Sequence, residues 1–321
     1  MNKPTRILIA CIVLAFHAEA QQIPIFTQYR ENAGIINPAA LPSDFFTDGH
    51  NLSFGTSFRK QWADLPTGPT TQLIQGTYFP NNNGEVGVNL LTGGYIINDQ
   101  TGPTGFTGAY ARLGGIISSD PKYSGLSIAL NAGMVQYRVQ TSQLVLKDAG
   151  DIKASQDQSQ MYPDGGIGAF YYQQMGGALD GDYLYGGLSI PQIMGLDLSF
   201  PNPDGKFYTQ RVRHYYGLLG WYHFLDDKNT FIETSVWFKY AQDVPCNVDI
   251  NMRYQMSGSF WIGAGITPFS KFHAETGFIL GKNMGFDSNF TIGYSYDYAL
   301  ASYGPYVGAT HEINLTFSLP K

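Results

Sequence analysis

The amino-acid sequence predicts an all-β fold, a transmembrane antiparallel up-and-down β-barrel of about 14 strands with a periplasmic N-terminal segment. Polar and apolar residues alternate in segment after segment. Only 14% of the residues are charged, against about 25% in typical domains. Aromatic residues make up 15%, yet the mean hydropathy is −0.15 and no stretch after Ala20 would make a membrane helix. A barrel reconciles these values, because its lipid-facing and lumen-facing residues alternate and cancel in any average.

Residues 1–20 are predicted to be a cleavable signal peptide. Lys3 and Arg6 form the positive region, Ile7–Phe16 is apolar, and Ala18-Glu19-Ala20 fits an A-x-A cleavage site. Residues 21–50 then form an N-terminal segment and residues 51–321 the outer-membrane barrel. The N-terminal segment contains three prolines and no strong period, so we expect it either in the periplasm or folded into the lumen.

Charge and cysteine content exclude two further features. The net charge of −6 argues against a nucleic-acid partner, which would require a basic stripe on the surface. Removal of the signal peptide would take Cys11 away and leave Cys246 alone. An intrachain disulfide is therefore not expected, even in an oxidising compartment.

Alternation with a period of two is the main secondary-structure signal. Along Asn289–Tyr298, aromatic and aliphatic residues at even positions oppose Asn, Thr, Gly, Ser and Asp at odd positions. This pattern predicts a sheet with one apolar and one polar face. About 14 such segments are predicted: Asn51–Arg59, Thr70–Phe79, Glu85–Ile97, Gly105–Ile117, Tyr123–Val139, Asp164–Gln173, Asp182–Ile190, Arg211–Phe224, Asn229–Tyr240, Asn247–Tyr254, Phe260–Ile266, Phe272–Leu280, Asn289–Tyr298 and Thr310–Phe317.

The connections between these segments also favour a membrane barrel. Short connections at one set of hairpins and long ones at the other are typical of periplasmic turns and outer loops. An even strand number would place both barrel ends on the periplasmic side. A soluble, secreted β-sandwich or barrel would show alternation too, but the low charge, the strand length and the tyrosines at strand ends favour the membrane. The long connections are Lys60–Pro69, Gln140–Pro163, Pro191–Gln210 and Ala299–Ala309.

The polar faces of the predicted strands carry both signs of charge. Opposite charges inside a barrel are stable when they pair, and a crowded, mixed interior indicates a plugged lumen rather than an open selective pore. The residues assigned to this face include Asn131, Glu233, Lys239, Asp249, Arg253, Glu275 and Asp297.

Signals for chemistry are weak. None of the five histidines left after cleavage is spaced as H-x-x-x-H, and no C-x-x-C occurs. No nucleophile–base pair is visible, so we predict no catalytic, cofactor-binding or metal-binding residues and a protein that is not an enzyme; a barrel hydrolase ranks last. Asp148, Asp151 and Asp157 in the longest loop would allow a calcium site, although a solvated loop is the simpler interpretation.

Three polar motifs lie at the ends of predicted strands, at the expected outer rim. They have two interpretations: turn and membrane-interface residues, or a shaped surface for a protein ligand. The candidate contact or rim-shaping residues are Arg59, Gln61 and Trp62 after the first strand, Asn98 and Asp99 after the third, and Ser189 and Pro191 at the seventh.

At these residues the sequence resembles the PorP/SprF family of outer-membrane proteins, which is associated with type IX secretion and gliding motility. Each block is short, and the order of the blocks along nearly the whole mature chain is the specific feature. The matching blocks are Gln21–Tyr29 with Ile36–Ala39, Arg59-x-Gln61-Trp62 with Pro69-Thr70, Asn98-Asp99 with Gly102-Pro103, Gly187–Pro191, and Gly293–Tyr298 with His311–Ile313.

The resemblance implies a 14-stranded barrel and a role rather than a reaction. Family members are linked to the export or surface anchoring of adhesins and other cargo with a C-terminal sorting domain, and one branch is linked to the periplasmic secretion ring. The implied partners are thus such a secreted surface protein, possible ring components and outer-membrane lipid, with no cofactor. The alternative function is an outer-membrane transport channel, porin-like or resembling a fatty-acid transporter.

Overall fold

The computed structural model describes residues 26–80, 87–140, 157–176, 181–194, 197–202, 205–210, 212–225, 230–242, 244–256, 259–281 and 284–320. The predicted signal peptide lies outside these residues, as do Asp148 and Asp151 of the calcium hypothesis. Over the described ranges, no helix has the length and apolar character needed to cross a membrane.

Fourteen of the sixteen described strands form one closed antiparallel barrel, which confirms the predicted fold and strand number. Successive barrel strands are hydrogen-bonded neighbours, and the first pairs with the last, from Leu52↔Leu319 to Lys60↔His311. Because the barrel is closed, each barrel strand has a neighbour on both edges for its backbone N–H and C=O groups, as a bilayer requires. In chain order the strands are β1 (Leu52–Lys60), β2 (Thr70–Tyr78), β3 (Val88–Thr101), β4 (Thr104–Ile117), β5 (Ser124–Val139), β6 (Gln158–Gln174), β7 (Tyr183–Ile190), β8 (Asp197–Asn202), β9 (Gly205–Gln210), β10 (His214–Phe224), β11 (Phe231–Ala241), β12 (Asn247–Met256), β13 (Phe260–Thr267), β14 (Lys271–Leu280), β15 (Asn289–Ala299) and β16 (Thr310–Leu319).

Polar residues face the lumen and apolar residues face outward, as the alternation predicts. In β15, Asn289, Thr291, Ser295 and Asp297 are buried, whereas the residues between them are exposed aromatic and aliphatic side chains. The outward face is therefore suited to lipid, and the charges of the chain concentrate in the interior.

Two strands, β3 and β6, extend furthest beyond their predicted ends. β3 continues to Thr101, so Asn98 and Asp99 lie in a strand and not in a connection; the turn is Gly102-Pro103. β6 begins at Gln158, inside the connection predicted over Gln140–Pro163. The missed residues of β3 and the first three residues of β6 are polar on both faces of the strand, which hides the period of two. These stretches pair with β4 and β5, respectively.

The predicted connection Pro191–Gln210 contains two strands of its own. Among the described residues, β8 and β9 pair only with each other, with Phe200 opposite Phe207, and form a separate two-stranded sheet. Pro201 lies within β8, and a proline inside an alternating segment argues against a strand unless that strand has a free edge.

Residues 26–50 contact lumen-facing residues of several barrel strands. We call residues 26–50 the plug. It contains two single-turn helices, α1 (Ala33–Ile36) and α2 (Phe45–Asp48); α3 (Gly304–Val307) lies between β15 and β16. Thr27 bonds to Asp297 near the end of β15, and His50 lies beside Ser318 near the start of β1. The plug therefore runs along the lumen from the long-loop end to the end that holds both barrel termini.

Candidate functional site: the seat of the plug

The strand register places a row of charged residues around the lumen wall. Neighbouring strands pair Glu233 with Arg253, Arg253 with Gly263, Gly263 with Glu275, Glu275 with Ser295, Ser295 with Glu312, and Glu312 with Arg59. A buried charge is costly unless it is paired and hydrogen-bonded, so these residues require partners from the lumen side. We call the charged members the charged belt: Arg59, Glu233, Arg253, Glu275 and Glu312.

The first part of the plug supplies these partners. Arg30 Nη1 lies 2.9 Å from Glu233 Oε2, and Glu31 Oε1 lies 3.3 Å from Arg253 Nη1. The backbone N–H groups of Thr27 and Gln28 donate to Glu312, at 2.7 and 3.2 Å. Plug and wall therefore neutralise each other with ion pairs and backbone donors.

Arg59, the first predicted site residue, lies at the centre of this network. Its Nη2 is 3.2 Å from Asp297 Oδ2, and its Nε is 3.6 Å from Glu312 Oε2. Asp297 also accepts a hydrogen bond from Thr27 Oγ1, at 2.6 Å, and pairs with Lys271 Nζ at 2.8 Å. Arg59 thus connects the closing seam between β1 and β16 to the start of the plug.

The second part of the plug is held by aromatic rings. Phe46 lies 5.3–5.4 Å, between ring centroids, from Tyr172, Tyr183 and Tyr222, and Phe45 lies 5.1 Å from Phe79. Such tilted and edge-on pairs add to the free energy gained by burying the rings. We call this group the aromatic socket: Phe79, Phe170, Tyr172, Tyr183, Tyr185 and Tyr222.

Ser189 and its neighbours in the Gly187–Pro191 block contact the C-terminal end of α1. Ser189 Oγ donates to the Ile36 carbonyl at 2.8 Å, and Asn37 Nδ2 donates to the Ala169 carbonyl at 3.0 Å. A Cβ at position 187 would lie 2.7 Å from Asn37 Nδ2, so Gly187 provides the space for this close approach. Pro191 is buried directly after this strand.

The remaining predicted residues have other surroundings. Gln61 Oε1 accepts from Arg59 Nη1 at 2.8 Å, and Trp62, at a φ of 55°, packs edge-on against Tyr303 with ring centroids 5.9 Å apart. Asn98 Oδ1 accepts from Thr107 Oγ1 at 2.8 Å and from Arg138 Nη2 at 2.9 Å. Asp99 Oδ1 accepts from Thr71 Oγ1 at 2.5 Å. The predicted residues therefore form no single patch. Ser189 bonds to the plug, Arg59 bonds to wall residues that contact the plug, and Trp62 packs against Tyr303.

Sequence reasoning did not single out the plug residues that make these contacts. Thr27, Arg30, Glu31 and Phe46 lie in a segment without a period, which carries no signal for a partner. The available signal was the Phe45-Phe46 pair in a polar stretch, because two adjacent phenylalanines would be costly to leave in water.

In the described part of the chain, no group of three or more His, Cys, Asp or Glu residues is arranged to hold a metal ion. The carboxylates of Glu31, Glu233 and Asp297 form ion pairs with Arg253, Arg30 and Arg59.

The sequence model of the family described as "Type IX secretion system membrane protein PorP/SprF" matches residues 18–317. The chain belongs to the PorP/SprF family. Family and barrel fold together indicate an integral outer-membrane component of type IX secretion. No curated protein matches the chain.

Solved outer-membrane barrels share the fold of this PorP/SprF protein. The P. putida toluene transporter TodX is 10% identical with a TM-score of 0.53, and the alignment covers 90% of this chain and 94% of that one. The CymD monoaromatic hydrocarbon channel is also 10% identical with a TM-score of 0.53, covering 91% and 92%. At this identity the likeness concerns the fold alone.

Proposed function

We propose that this PorP/SprF protein is a non-enzymatic outer-membrane accessory that binds, helps to export or anchors a secreted protein with a C-terminal sorting domain. The observation that carries the proposal is the plug. It bonds to strands on several sides of the lumen, including Gln75 of β2 (2.7 Å to the Glu31 carbonyl) and Arg112 of β4 (3.3 Å to the Ala40 carbonyl). A barrel filled by its own chain is suited to hold a partner at its rim rather than to conduct it.

The hairpin β8–β9 is the proposed docking element. In the part of the chain that the structure describes, each of its strands has one paired edge and one edge without a strand partner. A two-stranded hairpin is marginally stable alone, and a free edge accepts a third strand through main-chain hydrogen bonds. A sorting domain that supplied such a strand would bind through these hydrogen bonds, and the same contacts would stabilise the hairpin.

The orientation we propose places both barrel ends in the periplasm and the hairpin outside the cell. Cys246, an exposed free cysteine, lies between β11 and β12 at the same end as the hairpin. A membrane-impermeant maleimide should label Cys246 on intact cells. In a Cys246→Ser background, a cysteine in place of Lys122, in the turn between β4 and β5 at the other end, should react only after the outer membrane is opened. The reverse pattern would contradict the orientation.

Photo-crosslinking followed by mass spectrometry tests the docking proposal. A crosslinking amino acid at position 199, in β8, should capture a large surface protein with a sorting domain from native membranes. The same amino acid at Leu113, which is 63% exposed on the outward face of β4, is the matched control. Replacement of residues 197–210 by a Gly-Ser linker should abolish co-purification of the captured protein and leave the barrel folded. Undiminished co-purification without the hairpin would refute this docking site.

A transport channel is the second candidate, favoured by a cavity that remains between the plug and the wall at Ser235 and Trp237. Transport would require the plug to move, because its ion pairs and aromatic contacts cross the lumen. Planar-bilayer recordings distinguish the two functions. A large, stable conductance of the purified wild-type protein would contradict the anchor, whereas a silent barrel would support it.

A further inference from the structure

The closing seam between β1 and β16 is joined differently from the rest of the barrel. The other pairs of neighbouring barrel strands follow one another along the chain, whereas β1 and β16 are its first and last strands. Ser57 and its register partner Asn314 are 257 positions apart. Because chain entropy opposes the meeting of such distant segments more than the closing of a short hairpin, the seam depends most on additional contacts.

One buried side chain of the plug contacts both strands of the seam. Asn32 Oδ1 accepts a hydrogen bond from Ser57 Oγ of β1 at 2.9 Å, and Asn32 Nδ2 donates to Glu312 Oε1 of β16 at 3.4 Å. Ser57 Oγ in turn accepts from Asn314 Nδ2 of β16 at 2.6 Å. Asn32, Glu312 and Asn314 are each 0% exposed. Because buried polar groups are costly without partners, Asn32 and the seam stabilise each other.

The plug also contacts β16 near both ends of the seam. Towards the long loops, the backbone N–H of Thr27 donates to Glu312 at 2.7 Å. Towards the other end, Ser318 Oγ donates to Asp44, and His50 Nδ1 lies 3.1 Å from Ser318 Oγ. The plug continues directly into β1 along the chain. Each bond from the plug to β16 therefore also holds β16 beside β1.

The wall over β3–β6 shows another arrangement. Tyr110 Oη of β4 donates to Asp164 Oδ2 of β6 at 2.6 Å, and Asn131 Nδ2 of β5 donates to Tyr95 Oη of β3 at 3.2 Å. Both bonds join wall strands directly, and these four strands are consecutive along the chain. Loss of the plug contacts should therefore affect the seam more than this part of the wall.

We propose that the plug is a clasp for barrel closure, and that its release makes the β1–β16 seam the place where the wall separates first. While the plug is seated, its bonds hold β16 beside β1. Once it leaves the lumen, the seam has neither the bridge at Asn32 nor a short connection along the chain. Asn32 is the positioning residue of this clasp. The proposal concerns the wall itself and does not depend on a partner at the rim.

Hydrogen exchange followed by mass spectrometry of the purified full-length barrel in detergent tests the clasp. Asn32→Ala removes the bridge, so peptides from β1 and β16 should exchange at least about tenfold faster than in the wild type. Peptides from β4 and β5 should keep their wild-type rates. Asn37→Ala is the matched control, because Asn37 is also a buried asparagine of the plug and bonds to the Ala169 carbonyl of β6 at 3.0 Å.

The control should leave exchange in β1 and β16 unchanged. Faster exchange of all four strands in Asn32→Ala would overturn the proposal, because the effect would then be global. An equal effect of Asn37→Ala on the seam, or unchanged exchange in Asn32→Ala, would overturn it as well.

A disulfide across the seam keeps the proposal testable even if Asn32→Ala fails to fold. Phe54 and Phe317 pair directly across the seam, and both are exposed on the outward face, away from the plug. Paired residues of antiparallel strands have Cα atoms about 4.5–5.5 Å apart, within the range of a disulfide. The test combines Phe54→Cys with Phe317→Cys in a Cys246→Ser background.

The oxidised pair should return β1 and β16 of Asn32→Ala to their wild-type exchange rates, and reduction should restore fast exchange. If Asn32→Ala alone yields no barrel with heat-modifiable migration in gels, the oxidised pair should restore that barrel. Exchange that stays fast, or a barrel that stays absent, with the disulfide formed would show that Asn32 does not act at the seam and would overturn the clasp.

Discussion

The two ends of the plug are held by different kinds of contact. Residues 26–32 meet the charged belt through ion pairs and backbone donors, whereas Phe45 and Phe46 enter the aromatic socket. Buried ion pairs lose much of their Coulomb energy to desolvation, while a buried phenylalanine contributes about 1.5–3 kcal/mol and ring pairs add about 0.5–1.5 kcal/mol each. The aromatic socket therefore supplies most of the free energy that holds the plug, and the charged belt fixes its position.

The largest effect is expected from Phe46→Ala. Removal of the ring leaves a cavity in the socket and should lower the free energy of plug opening by about 3–5 kcal/mol. Hydrogen exchange followed by mass spectrometry should show faster exchange in peptides from residues 38–50. Phe54→Ala, at a position 53% exposed on the outward face of β1, is the matched control and should leave exchange in the plug unchanged. Equal exchange in both variants would show that the aromatic socket does not stabilise the plug.

An intermediate effect is expected at the charged belt. Arg59→Met removes an ion-pair partner from both Glu312 and Asp297 and should lower the free energy of unfolding by about 2–3 kcal/mol. The loss is smaller than for a fully broken buried pair because Asp297 keeps its contacts with Lys271 and Thr27. Arg59→Lys keeps the positive charge but lacks the planar guanidinium with its several donors, so it should recover only part of the lost stability. Thermal unfolding in detergent measures both, and adding Glu312→Gln to Arg59→Met should reduce the loss, since the contacts are shared. Additive losses would show that Arg59 and Glu312 are not coupled.

The wall strands and the plug also differ in how far their structure could be predicted from the sequence. Alternation identified β15 almost to the residue, because its two faces differ in polarity along the whole strand. It missed β8 and β9, which contain Pro201 and lie outside the wall. It could not place residues 26–50, since a plug takes its conformation from the surrounding wall and has no period of its own.

The candidate site was predictable only in part for a related reason. Arg59 was identified from its block, but its partner Asp297 lies 238 positions away, and the contact exists only because β1 closes against β16. Register across a closing seam is set by the whole barrel, and short-range patterns do not report it. The lumen-facing assignments of Glu233, Asp249 and Arg253 were within reach because they follow from alternation alone.

The smallest effect is expected at Asp48, where the plug leaves the socket. Burial and then the charge of nearby Asp44 raise the pKa of Asp48, while hydrogen bonds from Thr47 and Asn289 oppose the rise. A carboxyl whose folded pKa is raised binds its proton more tightly in the folded state. The contribution of Asp48 to stability is therefore greatest at low pH and declines as the pH rises from the usual aspartate pKa, about 3.9, through the raised value.

Asp48→Asn removes the titration and keeps an acceptor for Asn289. At pH 8 it should be more stable than the wild type by at most about 1 kcal/mol, because the group is only partly buried. Thermal unfolding in detergent from pH 4 to pH 8 measures the difference, with Asp64→Asn as a control at an exposed carboxylate of the outer end. The gap between Asp48→Asn and wild type should widen with pH and then level off. A constant gap would show that the Asp44–Asp48 pair does not weaken the plug, leaving the socket and the belt as its determinants.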